Sequence, residues 1–244
     1  MRVAFALIGL SLGFVSSASA DCVVQSGAAR AHLIELYTSE GCSSCPPADQ
    51  WLRQLPQSAS VVALAFHVDY WDSLGWRDRF ADARYTTRQQ ALAARAESGI
   101  VYTPEVVLDG REWRDWHGDG ALPSLPSSAP TMKLTVAAGT RLHVHVDTAL
   151  ASPTEAASYR NYVALTEDGL TSHVQAGENR GVLLRHDHVV RAFVGPLPLA
   201  GGDVDVPVPA DVDLTHATLV AFAQRARDGD VAQVVRLPLG QCRN

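Results

Sequence analysis

Apolar and polar positions change rhythm about halfway along the chain. In the first half, compact apolar runs alternate with helix-length segments. His32 to Tyr37 and Val61 to Val68 are near-continuous apolar runs, as expected of strands covered on both faces. Between them a helix is predicted from Pro46 or Pro47 to Leu55, with proline tolerated in its first turn and Pro56 ending it. A second helix is predicted from Thr86 to Ser98, with Gly99 as its stop. Val101 to Leu108 reads as a strand interrupted by Pro104, and Asp109-Gly110 as a tight turn returning through Arg111-Glu112-Trp113. An aromatic-rich loop, Asp69 to Phe80, joins the second strand to the second helix. This order predicts a mixed sheet between helices.

The second half alternates with period two. Leu134 and Val136, then Leu142, Val144 and Val146, then Val204, Val206 and Val208 follow that pattern. Tyr162 to Leu165, Val182 to Leu184, Val189 to Val194, Leu219 to Phe222 and Val231 to Leu237 add further strands, separated by turn signals such as Asp168-Gly169, Gly201-Gly202 and Asp228-Gly229. Many short strands at this spacing suggest a small β-sandwich. The Pro- and Ser-rich stretch 122–130 reads as a linker. The expected organisation is a signal segment over 1–20, an α/β domain over 21–121, the linker, and a β-sandwich over 131–244.

The signal reading rests on Arg2, the apolar run Val3 to Val15, and Ala18-Ser19-Ala20 as a cleavage site. That run is short for a membrane span, and no later stretch is long and apolar enough for one. A periplasmic or secreted location follows, with no stable membrane insertion. A net charge of −6 argues against nucleic acid as a partner. Lys133 is the one lysine and the other basic residues are arginines, which with abundant Ala and Val reads as a GC-rich coding bias, and no function is attached to it.

An exported chain meets conditions in which disulfides persist. The four cysteines are Cys22, Cys42, Cys45 and Cys242. Cys42 and Cys45 form a C-x-x-C on a predicted strand-to-helix turn, where the sulfurs reach each other with little distortion and the helix N-terminus favours a thiolate. Pairing them leaves Cys22 with Cys242 as a structural bridge near the two ends. Half of a zinc site has the same C-x-x-C spacing.

The order strand, C-x-x-C, helix, strand, helix, then Thr103-Pro104 opening a strand resembles thioredoxin. The resemblance implies a thioredoxin-like first domain, a cis-proline at Pro104 opposite the cysteines, and substrate binding along the backbone beside Thr103. More closely, Glu35 to Asp49, His67-Val68-Asp69-Tyr70-Trp71-Asp72 with Leu74-Gly75-Trp76, and Tyr102-Thr103-Pro104 look like the signature of a bacterial secreted, thioredoxin-like family of unknown function. Two departures stand out. Gly41 occupies the position before the first cysteine where thioredoxins carry tryptophan. Glu35, the candidate for their buried carboxylate, lies one residue further from Cys42, and a one-residue slip turns a strand side chain to the other face.

The expected activity is thiol–disulfide exchange with protein or small-molecule thiols and disulfides, without a cofactor. Cys42 attacks and Cys45 resolves the mixed disulfide. This expectation has Cys42 exposed and Cys45 more buried. Thr103, Glu35, His67, Asp69 and Trp71 are supporting candidates, in a loop with Tyr70, Asp72 and Trp76 at the end of a strand where α/β sheets place their sites. Two alternatives stand beside it. In one, the C-x-x-C is a structural staple in a binding module. In the other, Cys42, Cys45 and His67 bind copper or zinc; the methionines, Met1 and Met132, are remote from the motif. His143-Val144-His145 and His186-Asp187-His188 each put two histidines on one strand face, a weak metal signal.

Overall fold

The structure is a computed structural model that describes residues 22–56, 58–118, 121–137 and 141–242. The expected signal segment lies outside the described residues. The chain runs through β1 (Cys22–Gln25), β2 (His32–Thr38), α1 (Pro46–Gln54), β3 (Val61–His67), α2 (Ala83–Arg95), β4 (Glu105–Leu108) and β5 (Arg111–Glu112). After the Pro/Ser-rich stretch come β6 (Thr131–Ala137), β7 (Leu142–Ala149), α3 (Pro153–Ala156), β8 (Tyr159–Glu167) and β9 (Leu170–His173). They are followed by β10 (Leu183–His186), β11 (Val189–Leu197), β12 (Gly202–Val206), β13 (Ala217–Arg225) and β14 (Val231–Pro238).

The expected fold, an α/β thioredoxin-like domain followed by a separate small β-sandwich, is not the one adopted. The described residues are mostly β, with three α-helices of 9, 13 and 4 residues. Strands of both halves share one eight-stranded sheet, in the order β14-β13-β8-β11-β3-β2-β4-β5. The seam is parallel: Val189 of β11 faces Ala65 of β3, and Ala65 N–H donates to His188 O at 2.8 Å. The halves are also joined in the other direction, because β1 pairs antiparallel with β6 in a four-stranded sheet ordered β1-β6-β7-β12. Both faces of β3, and the start of β11 at Val189 and Val190, are thereby buried by strands and helices that a two-domain division would have kept apart.

A sandwich does form, but between the four-stranded sheet and the C-terminal part of the large one. Met132, Leu134, Val144 and Val146 pack on Val163, Leu165, Leu219 and Ala221. On the same face of the large sheet, next to this core, α1 covers β2, β3 and β4, setting Ala48 and Leu52 on Ile34, Leu36, Ala63 and Val106. On the opposite face α2 places Tyr85 and Leu92 against Leu33, Tyr37, Phe66 and Phe222.

The large sheet curls until its two ends meet. Val231 N–H donates to Asp109 O at 3.3 Å, and the Gln233 side chain accepts from Ala31 N–H at 3.1 Å. At this meeting Gly110, with φ of 88°, lies so close to Gly229 O that a Cβ would stand 1.8 Å from it. No other residue fits there. The curl encloses an aromatic interior around Arg88, whose guanidinium lies 5.1–5.6 Å from the ring centres of Phe66, Tyr162, Phe193 and Phe222. Cys22 and Cys242 are bonded, with their Cα atoms 5.6 Å apart.

Candidate functional site

The C-terminal end of β2 runs through Ser39, Glu40 and Gly41 into a turn in which Cys45 N–H donates to Cys42 O at 3.2 Å. Cys45 is the N-cap of α1, and Pro46 and Pro47 open the helix where no backbone donor is needed. Cys42 and Cys45 are joined as a disulfide, with Cα atoms 5.4 Å apart. The N-terminal end of α1 sets positive potential on this turn.

Ser43 and Ser44 are exposed, but both cysteines are fully buried. This differs from the expectation that Cys42 would be open to solvent. The cover is the β9–β10 connection, residues 174–182. Asn179, itself buried, uses both hydrogens of Nδ2, donating to Glu40 O and to Cys42 O at 2.9 Å each. Glu178 accepts from Ser43 N–H at 3.0 Å, and Gly177 lies against Trp76.

Trp71 closes the other side. A Cβ on Gly41 would meet Trp71 Cβ at 3.1 Å and its carbonyl oxygen at 3.6 Å, so the root and backbone of Trp71 stand where a larger residue before Cys42 would project. Trp71 Nε1 donates to Thr103 Oγ1 at 2.8 Å, tying this loop to Thr103-Pro104, whose peptide bond is cis. Asp69 accepts from Thr86 Oγ1 at 2.5 Å, and Asp72 accepts from Asp78 N–H at 3.0 Å. Tyr70 donates to Gln89, and burial pushes its hydroxyl up to about 12.

Alongside the turn lies a buried acid–base cluster. His67 Nδ1 is 2.6 Å from Asp78 Oδ2, which also accepts from Glu40 N–H at 2.9 Å. A carboxylate accepts only, so this contact places a proton on Nδ1. Burial works against the imidazolium, but the charge and hydrogen bond of Asp78, then Asp49 and Glu40, outweigh it and raise the His67 pKa. Asp78 is lowered: burial opposes this, while His67 and the N–H groups of Glu40 and Phe80 prevail. Burial raises Asp49 despite His67 and His186. His186 joins from β10, its ring 5.1 Å from that of His67 and its Nε2 3.4 Å from Glu40 Oε1. Glu40 Oε2 accepts from Trp76 Nε1 at 2.7 Å. His67 Nε2, Glu40 Oε1 and both His186 nitrogens are buried without a hydrogen-bond partner. Such atoms are rare and mark reactive or solvent-holding places.

Glu35 belongs to a different environment. It shares the face of Tyr37, opposite Ile34 and Leu36, and forms a two-pronged pair with Arg88 at 2.7 and 2.8 Å. Tyr37 Oη donates to it at 3.0 Å. It is thus engaged in the curled interior rather than at the cysteine turn. The two histidine pairs are also separate: His186 and His188 are buried, while His143 and His145 stand half-exposed on the outer face of β7. Among the described residues no group of three or more His, Cys, Asp or Glu side chains converges as a metal cage.

Sequence reasoning gave no role to Asn179, Glu178, Glu40 and Asp78, and read His186 only as half of a weak metal signal with His188. Glu40 and Asp78 lie within segments it singled out, Glu35 to Asp49 and the loop Asp69 to Phe80, whereas Asn179 and His186 are brought in by pairing more than 100 residues away in the chain.

Residues 33–224 match a family model described as a protein of unknown function. No curated protein matches the chain. Among solved structures, the chain is similar to a crystal structure of a protein from Agrobacterium tumefaciens, with 25% identity, a TM-score of 0.59, and coverage of 86% of this chain and 94% of that one. It is also similar in fold to HBP35 of Porphyromonas gingivalis, with 12% identity, a TM-score of 0.51, and coverage of 87% and 76%.

Proposed function

The chain belongs to DUF1223, a family of proteins of unknown function, and from that premise we propose that it is an exported thiol–disulfide oxidoreductase working through Cys42 and Cys45. The observation that carries this reading is a two-residue-spaced disulfide at a helix N-terminus, flanked by a buried acid–base cluster with unpartnered nitrogens and oxygens. Export is supported by the signal-like segment 1–20 and by the two disulfides.

The exchange balances without a cofactor. A thiolate of a dithiol substrate attacks one sulfur of the pair, a mixed disulfide forms, and the other cysteine leaves as a thiolate. The substrate's second thiol then attacks the mixed disulfide. Substrate disulfide is released, two electrons pass to Cys42 and Cys45, and their thiols take up the protons. The reverse sequence oxidises Cys42 and Cys45. His67 and Asp78 hold a proton near the turn, and His186 and Glu40 offer free lone pairs. Either direction requires residues 174–182 to open, since neither sulfur meets solvent in the closed state.

That burial favours a second reading, in which Cys42–Cys45 is a staple in a binding protein. Equilibration with glutathione and dithiothreitol buffers, followed by alkylation and mass spectrometry, separates the two. An exchanging pair titrates at a potential among those of known oxidoreductases; a staple resists reduction until the chain unfolds.

A further inference from the structure

The outer face of the four-stranded sheet carries a feature unrelated to the cysteines. Along β7 the inward residues Leu142, Val144 and Val146 build the core, so His143 and His145 both face outward. On the neighbouring strand β12, the register sets Asp205 opposite His143 and Asp203 opposite His145. His143 Nδ1 lies 2.8 Å from Asp205 Oδ1, and His145 Nδ1 lies 2.8 Å from Asp203 Oδ1.

Each carboxylate can only accept, so each imidazole carries its proton on Nδ1 and, when neutral, its lone pair on Nε2. This is the arrangement by which metal sites orient histidine: a carboxylate grips one ring nitrogen and leaves the other to the ion. Two residues apart on a strand, the rings stand about 6.7 Å apart at their backbones, close enough for both to lean onto one ion. Asp203 also lies 3.9 Å from His143 Nε2, adding negative charge between the rings. Lys133, the nearest lysine, lies one pair further along, opposite Asp147.

We propose that His143 and His145 bind a divalent transition-metal ion through their two Nε2 atoms, with Asp205 and Asp203 orienting the rings and water filling the other positions. Two imidazoles suit copper(II), zinc and nickel, with copper(II) foremost in the affinity order; calcium and magnesium prefer oxygen. The site is distinct from the C-x-x-C turn and does not depend on the redox reading.

The test uses the full chain with both disulfides closed, so that no thiolate competes. Copper(II) is titrated by calorimetry and by electron paramagnetic resonance. One ion per chain is expected, with nitrogen hyperfine structure. The double variant His143→Asn/His145→Asn should lose it, and Asp203→Asn should weaken it by about tenfold. Magnesium should not bind. Absence of copper binding by the wild type overturns the proposal, as does a double variant, folded by circular dichroism, that binds as tightly as the wild type. Both histidines are on the surface, so the double variant is expected to fold.

Discussion

Asn179 Nδ2 lies 2.9 Å from the carbonyl oxygen of Cys42, joining residues 137 positions apart. The same amide nitrogen bonds Glu40 O, so one buried side chain fastens the 174–182 segment over the disulfide turn.

Asn179→Ala removes both bonds and lowers the cost of local opening. At about 1 kcal/mol per bond, about 2 kcal/mol in all, the disulfide should be reduced about thirty times faster by dithiothreitol, and global unfolding should lose a similar amount because the closed state is the reference for both. An alkylation time course read by mass spectrometry checks this. An unchanged rate would show that something other than this segment limits access.

Arg88→Met leaves the Glu35 carboxylate buried without its counter-charge, with the Tyr37 hydroxyl as its remaining partner. It should cost about 3–5 kcal/mol in urea unfolding. Adding Glu35→Gln should recover a large part of that loss, because the uncompensated charge disappears. A double variant no better than the single one would place the cost in packing against the four aromatic rings instead.

Glu105, beside Pro104, has its carboxyl pushed up to about 7, chiefly by burial and further by the charges of Glu112 and Glu35. An unfolded glutamate titrates near pH 4.3, roughly, so between there and about 7 the folded chain holds the extra proton. Stability from this group should therefore fall as pH rises through that window, by about 2–3 kcal/mol in all. Glu105→Gln keeps an acceptor for Gln89 Nε2 and should flatten the slope in denaturation curves taken from pH 4.5 to 8.

The His67–Asp78 pair has the opposite signature at its two ends. His67 is raised, so its contribution is complete below about pH 6.5 and fades as pH rises through its folded value. Asp78 is lowered, so its contribution is complete above about pH 4 and fades as pH falls through its folded value. The stability lost in His67→Asn should be greatest between those limits and shrink in alkali. A loss that does not vary with pH would mean that the ring contributes by packing alone.

Serine at both Cys22 and Cys242 opens a loop spanning 220 residues. The chain-entropy model sets the loss on the order of 5 kcal/mol. Equilibrium unfolding with Cys42–Cys45 intact measures it, and a loss below about 1 kcal/mol would mean that the two ends are already held by β1 and β14.

Much of the local structure was legible. The apolar runs at His32 and Val61 became β2 and β3, the proline-opened helix became α1, and Asp109-Gly110 turned where expected, both residues having positive φ. The joining of the halves was not legible. Nothing in the run at Val189 says that it will pair in parallel with β3, since a strand buried on both faces reads alike beside any neighbour. β1 and β9 were missed because four residues with one or two apolar positions carry little period. The cysteine turn was visible from spacing, but its cover and His186 arrive through tertiary pairing alone. The one-residue offset of Glu35 from Cys42 leaves its face open in the sequence, and its partner Arg88, 53 residues on, has no local signal.

The pairing of β1 with β6 and the bond from Cys22 to Cys242 also govern the order of events during biosynthesis. A chain that emerges from its N-terminus can close Cys42–Cys45 within the first few dozen residues made, whereas Cys22 must wait for nearly everything else to appear. Throughout that interval Cys22 lacks its final partner, so faithful maturation depends on when each bond closes as well as on where the sulfurs finally lie.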